Sequence, residues 1–259
     1  MRTSYDTPDT DTKFTWYDHG AAERLLAFIL LWSAGNELGA DQRFQARLGQ
    51  AIVMHARLLA CEAFYAYHQP LRYHNHAWFQ DAALMAAALA FAQMDEATRW
   101  RDLAIERFED QLDHLLVRDG GFAIFIENSI GYHHGVQKLA LLMGSLVELS
   151  GLDSDVPATA QGLAGWSDFF RYPDGRTPAQ GDTFRPAPSL IGSLRPVKPW
   201  PEPRCLILPK AGYCVVKGNQ QGKPFMVNML ATSLSKTHKH EDNLSITLWY
   251  DALEWLIDP

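Results

Sequence analysis

The apolar positions of this chain fall into two regimes. Over the first two-thirds they recur at helical spacing, in long segments separated by short polar ones. The segment "AAERLLAFILLWSAG" (21–35) is apolar on more than one face and runs into Gly35, a C-cap residue type. "DQRFQARLGQAIVMHARLLACEAFYAYH" (41–68) reads as one long helix with Asp41 as its N-cap. "AWFQDAALMAAALAFAQM" (77–94) is Ala-rich and apolar nearly all round, so it predicts a helix buried on several sides. "DEATRWRDLAIERFEDQLDHLLV" (95–117) is amphipathic, "HGVQKLALLMGSLVELSG" (134–151) is a further helix ending at glycine, and "ATAQGLAGWSDFFRY" (158–172) is a weaker one. Helices of similar length with short connections predict antiparallel hairpins stacked as a bundle, solenoid or toroid.

The pattern changes near residue 173. "PDGRTPAQGDTFRPAPSLIGSLRPVKPWPEPR" (173–204) is rich in Pro and Gly, has no period, and reads as a linker or long functional loop. Beyond it the period is 2. "GYCVVKG" (212–218), "PFMVNMLAT" (224–232), "LSITLWY" (244–250) and "LEWLID" (253–258) read as strands, the last two joined at Asp251-Ala252. The expected organisation is a helical domain over 1–172, a linker over 173–204, and the start of an antiparallel sheet over 205–259. So small a sheet leads to the expectation that a longer protein continues beyond it.

Composition narrows the classes. The net charge is −7 and no basic run occurs, which argues against binding nucleic acid by phosphate neutralisation and leaves a local basic pocket for an acidic carbohydrate open. Cys61, Cys205 and Cys214 match no disulfide or metal framework. No stretch reaches the length of a membrane span, and the polar start "MRTSYDTPDTDTKF" lacks the apolar core of a signal peptide.

Three polar clusters stand out. In "RYHNHAW" (72–78), Asn75 either caps the following helix or, with His76, offers donors to a carboxylate at a helix N-terminus. In "IENSIGYHHG" (126–135), Glu127, Asn128, Tyr132, His133 and His134 form either a hydrogen-bonded turn or a Tyr–His acid/base set. In "SKTHKHEDNLSITLWYDALEWLIDP" (235–259), His238 and His240 share a face if the segment is extended. The hairpin returns Asp258 beside His240, either as a hydrogen bond closing its base or as part of a metal site that needs a third ligand.

"NHAWFQDAALMAAALAF", "ENSIGYHHGVQKLALL" and "SLSKTHKHEDNLSITLWYDALEWLIDP" together resemble the heparinase II/III-like polysaccharide lyases, a group that includes oligoalginate lyases. Ser233-Leu234, His238, His240, Asp242, Leu244-Ser245 and Asp258-Pro259 fit the family's third motif, whose next residue is a glycine. The resemblance implies an incomplete (α/α) toroid followed by an antiparallel β-sandwich. It implies β-elimination on a uronate-containing polysaccharide or oligosaccharide: a base removes the C5 proton, an acid protonates the departing 4-linked oxygen, and an unsaturated uronate remains. Asn75, helped by His76 or His238, would neutralise the carboxylate. Tyr132 would be the acid, with Tyr132, His76 or His238 as base. Glu127, His133 and Arg72 would contact or flank the sugar. His240 and Asp258 would hold a structural Zn2+ with a third ligand beyond this chain, and no organic cofactor is implied. Family members are often periplasmic or secreted, and the polar start keeps a cytoplasmic location open. Two other readings stand beside this one: a glycoside hydrolase, disfavoured because Glu127 is the only obvious acid in the clusters, and a non-catalytic carbohydrate-binding or biosynthetic accessory protein.

Overall fold

The structure is a computed structural model. It describes residues 16–67, 72–127, 129–183, 202–232, 234–235, 238 and 243–258. The expected order of helices followed by an antiparallel sheet holds. The helices among these residues are α1 (Asp18–Leu38), α2 (Gln42–Leu59), α3 (Glu62–Tyr67), α4 (Asn75–Ala90), α5 (Ala97–Leu115), α6 (Ile130–Ser150) and α7 (Val156–Phe169). A short hairpin, β1 (Leu116–Asp119) and β2 (Phe122–Phe125), lies between α5 and α6. The sheet that follows has the order β3 (Arg204–Leu208), β4 (Tyr213–Gln220), β5 (Lys223–Leu230), β6 (Ser245–Tyr250), β7 (Leu253–Leu256), all antiparallel. Most of the expected 173–204 linker falls on 184–201, outside the described residues.

The chain divides into two compact units, Met1–His114 with Leu141–Pro157, and Leu115–Ala140 with Ala158–Pro259. In the first unit, α1 packs on α2 and α4. Ala21, Ala22 and Leu25 of α1 are fully buried, as are Ala77, Trp78, Ala82, Ala83, Leu84, Met85 and Ala87 of α4. The small alanines let neighbouring helices approach closely, as the all-round apolar pattern of α4 predicts. α1 runs past Gly35 to a left-handed cap at Gly39, whose amide donates to the Gly35 carbonyl. Asp41 caps α2 as expected, accepting from the Arg43 and Phe44 amides. The single helix expected over 41–68 is instead broken at Ala60–Cys61. The break coincides with the Arg107 guanidinium, which takes the Leu59 carbonyl at 2.9 Å and Glu62 Oε2 at 2.7 Å.

Beneath this break lies a buried polar network. Arg107 covers the Tyr65 ring at 4.0 Å, Gln111 donates to the Tyr65 hydroxyl, and that hydroxyl donates to Asp81 Oδ2 at 3.1 Å. Asp81 is fully buried, and its Oδ1 makes no hydrogen bond. Burial pushes its pKa well above the usual carboxylate range, only partly offset by Arg107 and the Tyr65 hydroxyl.

In the second unit the sheet's alternation is regular. One face buries Tyr213 and Val215 of β4, Met226 and Leu230 of β5, and Trp249 of β6. They pack with Trp166, Phe170, Tyr172, Ile124 and Ile130 in one core. Each large side chain so buried contributes on the order of 2–3 kcal/mol. Lys217 shares the buried face and ends α7 by donating its ammonium to the Phe169 and Arg171 carbonyls, while burial lowers its pKa to about 8. Asn228 and Thr247 pair across β5 and β6, where the Asn228 amide nitrogen donates to the Thr247 hydroxyl. The other face leaves Ile207, Ile246, Leu253 and Trp255 exposed. Gly212 enters β4 at φ 75, where a Cβ would lie 2.4 Å from Thr232 Cβ and 2.6 Å from the Ala231 carbonyl oxygen, so no side chain fits.

The β6–β7 turn forms at Asp251-Ala252, as expected, with both residues left-handed (φ 50 and 69). This geometry normally selects glycine at the second position. Ala252→Gly should therefore raise stability by about 1 kcal/mol, read from urea unfolding. Asp81 supplies a second expectation. Its folded pKa is raised, so its contribution is fully present below the unfolded carboxylate pKa and is lost as pH rises through the folded value. Asp81→Asn should stabilise the protein at pH 7, and the gain should shrink as pH falls towards 4, measured by thermal melts across that range.

Candidate active site

The second unit builds one polar cluster around the first turns of α6. This helix begins at Ile130 rather than at His134, so Tyr132, His133 and His134 belong to its opening turns. Thr183 caps that end: its hydroxyl accepts from the Gly131 amide at 3.3 Å, contacts Ser129 Oγ at 3.1 Å and donates to the Gln180 carbonyl at 2.6 Å. Successive residues of a helix point about 100° apart, and this separates the roles of Tyr132 and His133.

His133 points inward and is buried. Its Nδ1 accepts from the Phe125 amide of β2 at 3.3 Å, and its Nε2–H donates to the Leu163 carbonyl of α7 at 3.0 Å. Both ring nitrogens are used by the backbone, so the side chain anchors α6 to β2 and α7. α7 reaches this distance because Gly162 lies against β2, where a Cβ would already be 3.3 Å from the Ala123 amide nitrogen and Cβ. Burial lowers the His133 pKa to about 3, with the Leu163 carbonyl opposing and His134 assisting. His134 is lowered to about 4, again chiefly by burial.

Tyr132 points the other way and stacks on His238. Their ring centroids are 3.5 Å apart and the planes lie 16° from parallel. The His238 Nδ1 lies 2.9 Å from Asp182 Oδ2, and its Nε2 lies 3.7 Å from Oε2 of the buried Glu127. The Asp182 amide also donates to the His238 carbonyl at 3.3 Å, so one residue holds both the ring and the backbone of the histidine. His238 adopts φ 53, a left-handed conformation uncommon for a non-glycine residue. Burial, then the charges of Asp182 and Glu127, raise the Tyr132 pKa above that of a free phenol. The resting group is thus a protonated phenol, able to donate a proton.

The first unit builds a second polar cluster at the N-termini of α1 and α4. The N-cap of α4 is His74, in extended conformation and without a side-chain capping bond; Asn75 is the first helical residue, half-buried. The Nδ1 of His76 lies 3.2 Å from Oδ1 of Asp18, which is fully buried in the first turn of α1. The same oxygen accepts from the His19 amide at 2.7 Å, and Gln80 Nε2 is 3.5 Å from Oδ2. Burial raises the Asp18 pKa, but the hydrogen bonds from His76 and the His19 amide outweigh it and the net shift is downward. His74 is lowered to about 4, mainly by burial, and its Nδ1 is buried without a hydrogen bond. Asp18, His74 and His76 offer ligand atoms that all lie within 4.8 Å of one another.

The sequence-predicted residues are thus distributed between two clusters. Tyr132, His238 and Glu127 come together in the second unit, and Asn75 and His76 lie in the first. Arg72 pairs with Glu62 Oε1 at 2.8 Å and Asp110 Oδ2 at 3.3 Å. Asp258 is buried; its Oδ1 accepts from Ser245 Oγ and its Oδ2 from the Gly181 amide, both at 3.0 Å, which closes the hairpin base. Its expected zinc partner His240 lies outside the described residues, as do Asn128 and Asp242, so no metal step is derived from the His240–Asp258 pair. Sequence reasoning missed Asp18, Asp182 and Thr183. Asp182 and Thr183 sit in a run read as a linker or long functional loop, with no role assigned to either, and Asp18 precedes the first helix, which was read from residue 21.

Comparison with known proteins follows the same outline. Residues 7–188 match the family described as Heparinase II/III N-terminus. No curated protein matches. Among solved structures, a heparinase III matches at TM-score 0.71 and 15% identity, covering 97% of this chain and 44% of that one. The heparan sulfate lyase HepC from Pedobacter heparinus matches at TM-score 0.68 and 16% identity, covering 96% and 41% respectively. At these identities the likeness is one of fold, and the chain spans about two-fifths of the length of the solved structures it matches.

His133 supplies the test of this local architecture. Its folded pKa of about 3 lies below the unfolded histidine value near 6.5. Its contribution to stability is complete above about pH 6.5 and is lost progressively as pH falls towards 3. His133→Gln should destabilise the fold by about 2 kcal/mol or more at pH 7, because two buried backbone groups lose well-placed partners. It should also flatten the fall in stability between about pH 6.5 and 4, as followed by denaturant unfolding.

Proposed function

Because the chain belongs to the heparinase II/III family over most of its length, we propose that it is a polysaccharide lyase that cleaves a uronic-acid-containing polysaccharide or oligosaccharide by β-elimination. The observation that carries this reading is the Tyr132–His238 stack, with Asp182 and Glu127 at the two nitrogens of the imidazole. The C5 proton of a uronate is only weakly acidic while its carboxylate stays charged. Elimination therefore needs donors that offset the enolate-like charge, a base, and an acid at the leaving oxygen.

The second unit supplies an acid and an imidazole, and His238 serves either as the donor that offsets the carboxylate charge or as the base. Tyr132, kept protonated by burial and two nearby carboxylates, gives its proton to the departing 4-linked oxygen. As base, His238 takes the C5 proton. Glu127 and Asp182 orient that ring, while His133 holds the turn that presents Tyr132 and leaves the sugar contacts to others. Asp182 and Glu127 both lie against the His238 imidazole rather than opposed across an open site, and this sets the reading apart from glycoside hydrolysis.

Uronate polymers of the heparan, alginate and capsular classes should be screened by the ultraviolet absorbance of the conjugated double bond. Absorbance should rise on one of them, and Tyr132→Phe should lower kcat by about 10²–10⁴-fold with KM little changed. Binding of the polymer without any absorbance rise, unaltered by Tyr132→Phe, would instead identify a carbohydrate-binding protein.

A further inference from the structure

We propose that Asp18, His74 and His76 form a binding site for one zinc-class divalent cation, separate from the His240–Asp258 pair of the hairpin. The site stands on three observations within the first unit. Ligand atoms from all three residues lie within 4.8 Å of one another. The Asp18 carboxylate is fully buried, and among the described residues its ion-pair partner is an imidazole rather than a lysine or arginine. The Nδ1 of His74 is buried and makes no hydrogen bond, although its ring meets that of His76 edge-on at 5.5 Å.

A buried ring nitrogen lacking a partner is unfavourable. A cation between it and the buried Asp18 carboxylate gives that nitrogen a partner and the carboxylate a full countercharge. Two imidazoles and one carboxylate are the ligand set that zinc-class ions accept. Second-shell groups are also present. The His19 amide and Gln80 donate to the carboxylate, which is how ligating carboxylates are ordinarily fixed. Ligands near 2.1 Å in a tetrahedron lie about 3.4 Å apart, so binding requires the trio to contract by about 1 Å or more. Rotation of the two imidazoles provides this, because His74 makes no side-chain capping bond that would restrain it. Three protein ligands leave a coordination position for water or for a carboxylate oxygen supplied from solution.

The experiment uses the full chain carrying His240→Ala, which silences the hairpin pair, after removal of metal by chelation. Co2+ is titrated in and followed by its visible ligand-field absorption, and Zn2+ binding is measured by equilibrium dialysis. One equivalent should bind. Adding His74→Asn should weaken binding by about tenfold or more, as should adding Asp18→Asn. Asn is a favoured N-cap residue, so His74→Asn removes the imidazole while retaining the start of α4. It therefore decides the question even if the Asp18 variant fails to fold, as judged by circular dichroism. Stoichiometric binding that is undiminished by His74→Asn, or none to the folded His240→Ala chain, overturns the site. The readout is metal binding, so neither result bears on whether the chain is a lyase.

Discussion

The geometry of the second unit depends on one neutral imidazole. His133 spans from the Phe125 amide to the Leu163 carbonyl and so joins β2, α6 and α7 at a single point. Both bonds require the ring to carry one proton, on Nε2. Burial enforces that state by making the charged form unfavourable. The next residue towards the N-terminus, Tyr132, is then presented outward to His238 by helical geometry alone. The chemistry proposed for Tyr132 thus inherits its position from a residue whose two ring nitrogens are both taken by the backbone. The close approach at Gly162 belongs to the same arrangement, since a side chain there would push α7 away from β2.

Burial sets protonation states in both units in the same sense. His74, His133 and His134 are all lowered, and Tyr132 is raised. These four groups are therefore held neutral near pH 7. Neutral imidazole can act as base, ligand or acceptor, and neutral phenol as donor. The carboxylates Asp18 and Asp182 each lie within hydrogen-bond distance of an imidazole nitrogen, of His76 and His238 respectively. This pairing of ring and carboxylate recurs on two separate scaffolds of the same chain.

Much of this was legible in the sequence. Helical periodicity located α1, α2 and α4 to α7, and period-2 alternation located β4 to β7; the alternation is matched by burial in β4 to β6, whereas β7 is largely exposed. Asp41 and the Asp251-Ala252 turn were readable from local chemistry. The β1–β2 hairpin was missed, although Asp119-Gly120-Gly121 carries a turn signal, because the apolar residues around it continue the helical run on either side. The break in α2–α3 was not readable, since it is associated with Arg107, far along the chain. The clusters were only half legible. Tyr132, His76 and His238 stand out as residue types, but Asp18 and Asp182 become partners only through contacts spanning more than fifty positions.

The left-handed backbone of His238 has a consequence for selection at that position. A non-glycine residue there carries a cost of about 1 kcal/mol that glycine would avoid. Glycine would have neither the ring that Tyr132 stacks on nor the nitrogen that Asp182 holds. A library of variants sorted for thermal resistance and one sorted for turnover would then enrich opposite residues at the same codon. Disagreement between the two sorts would mark the site as one where conformational ease has been given up for chemistry.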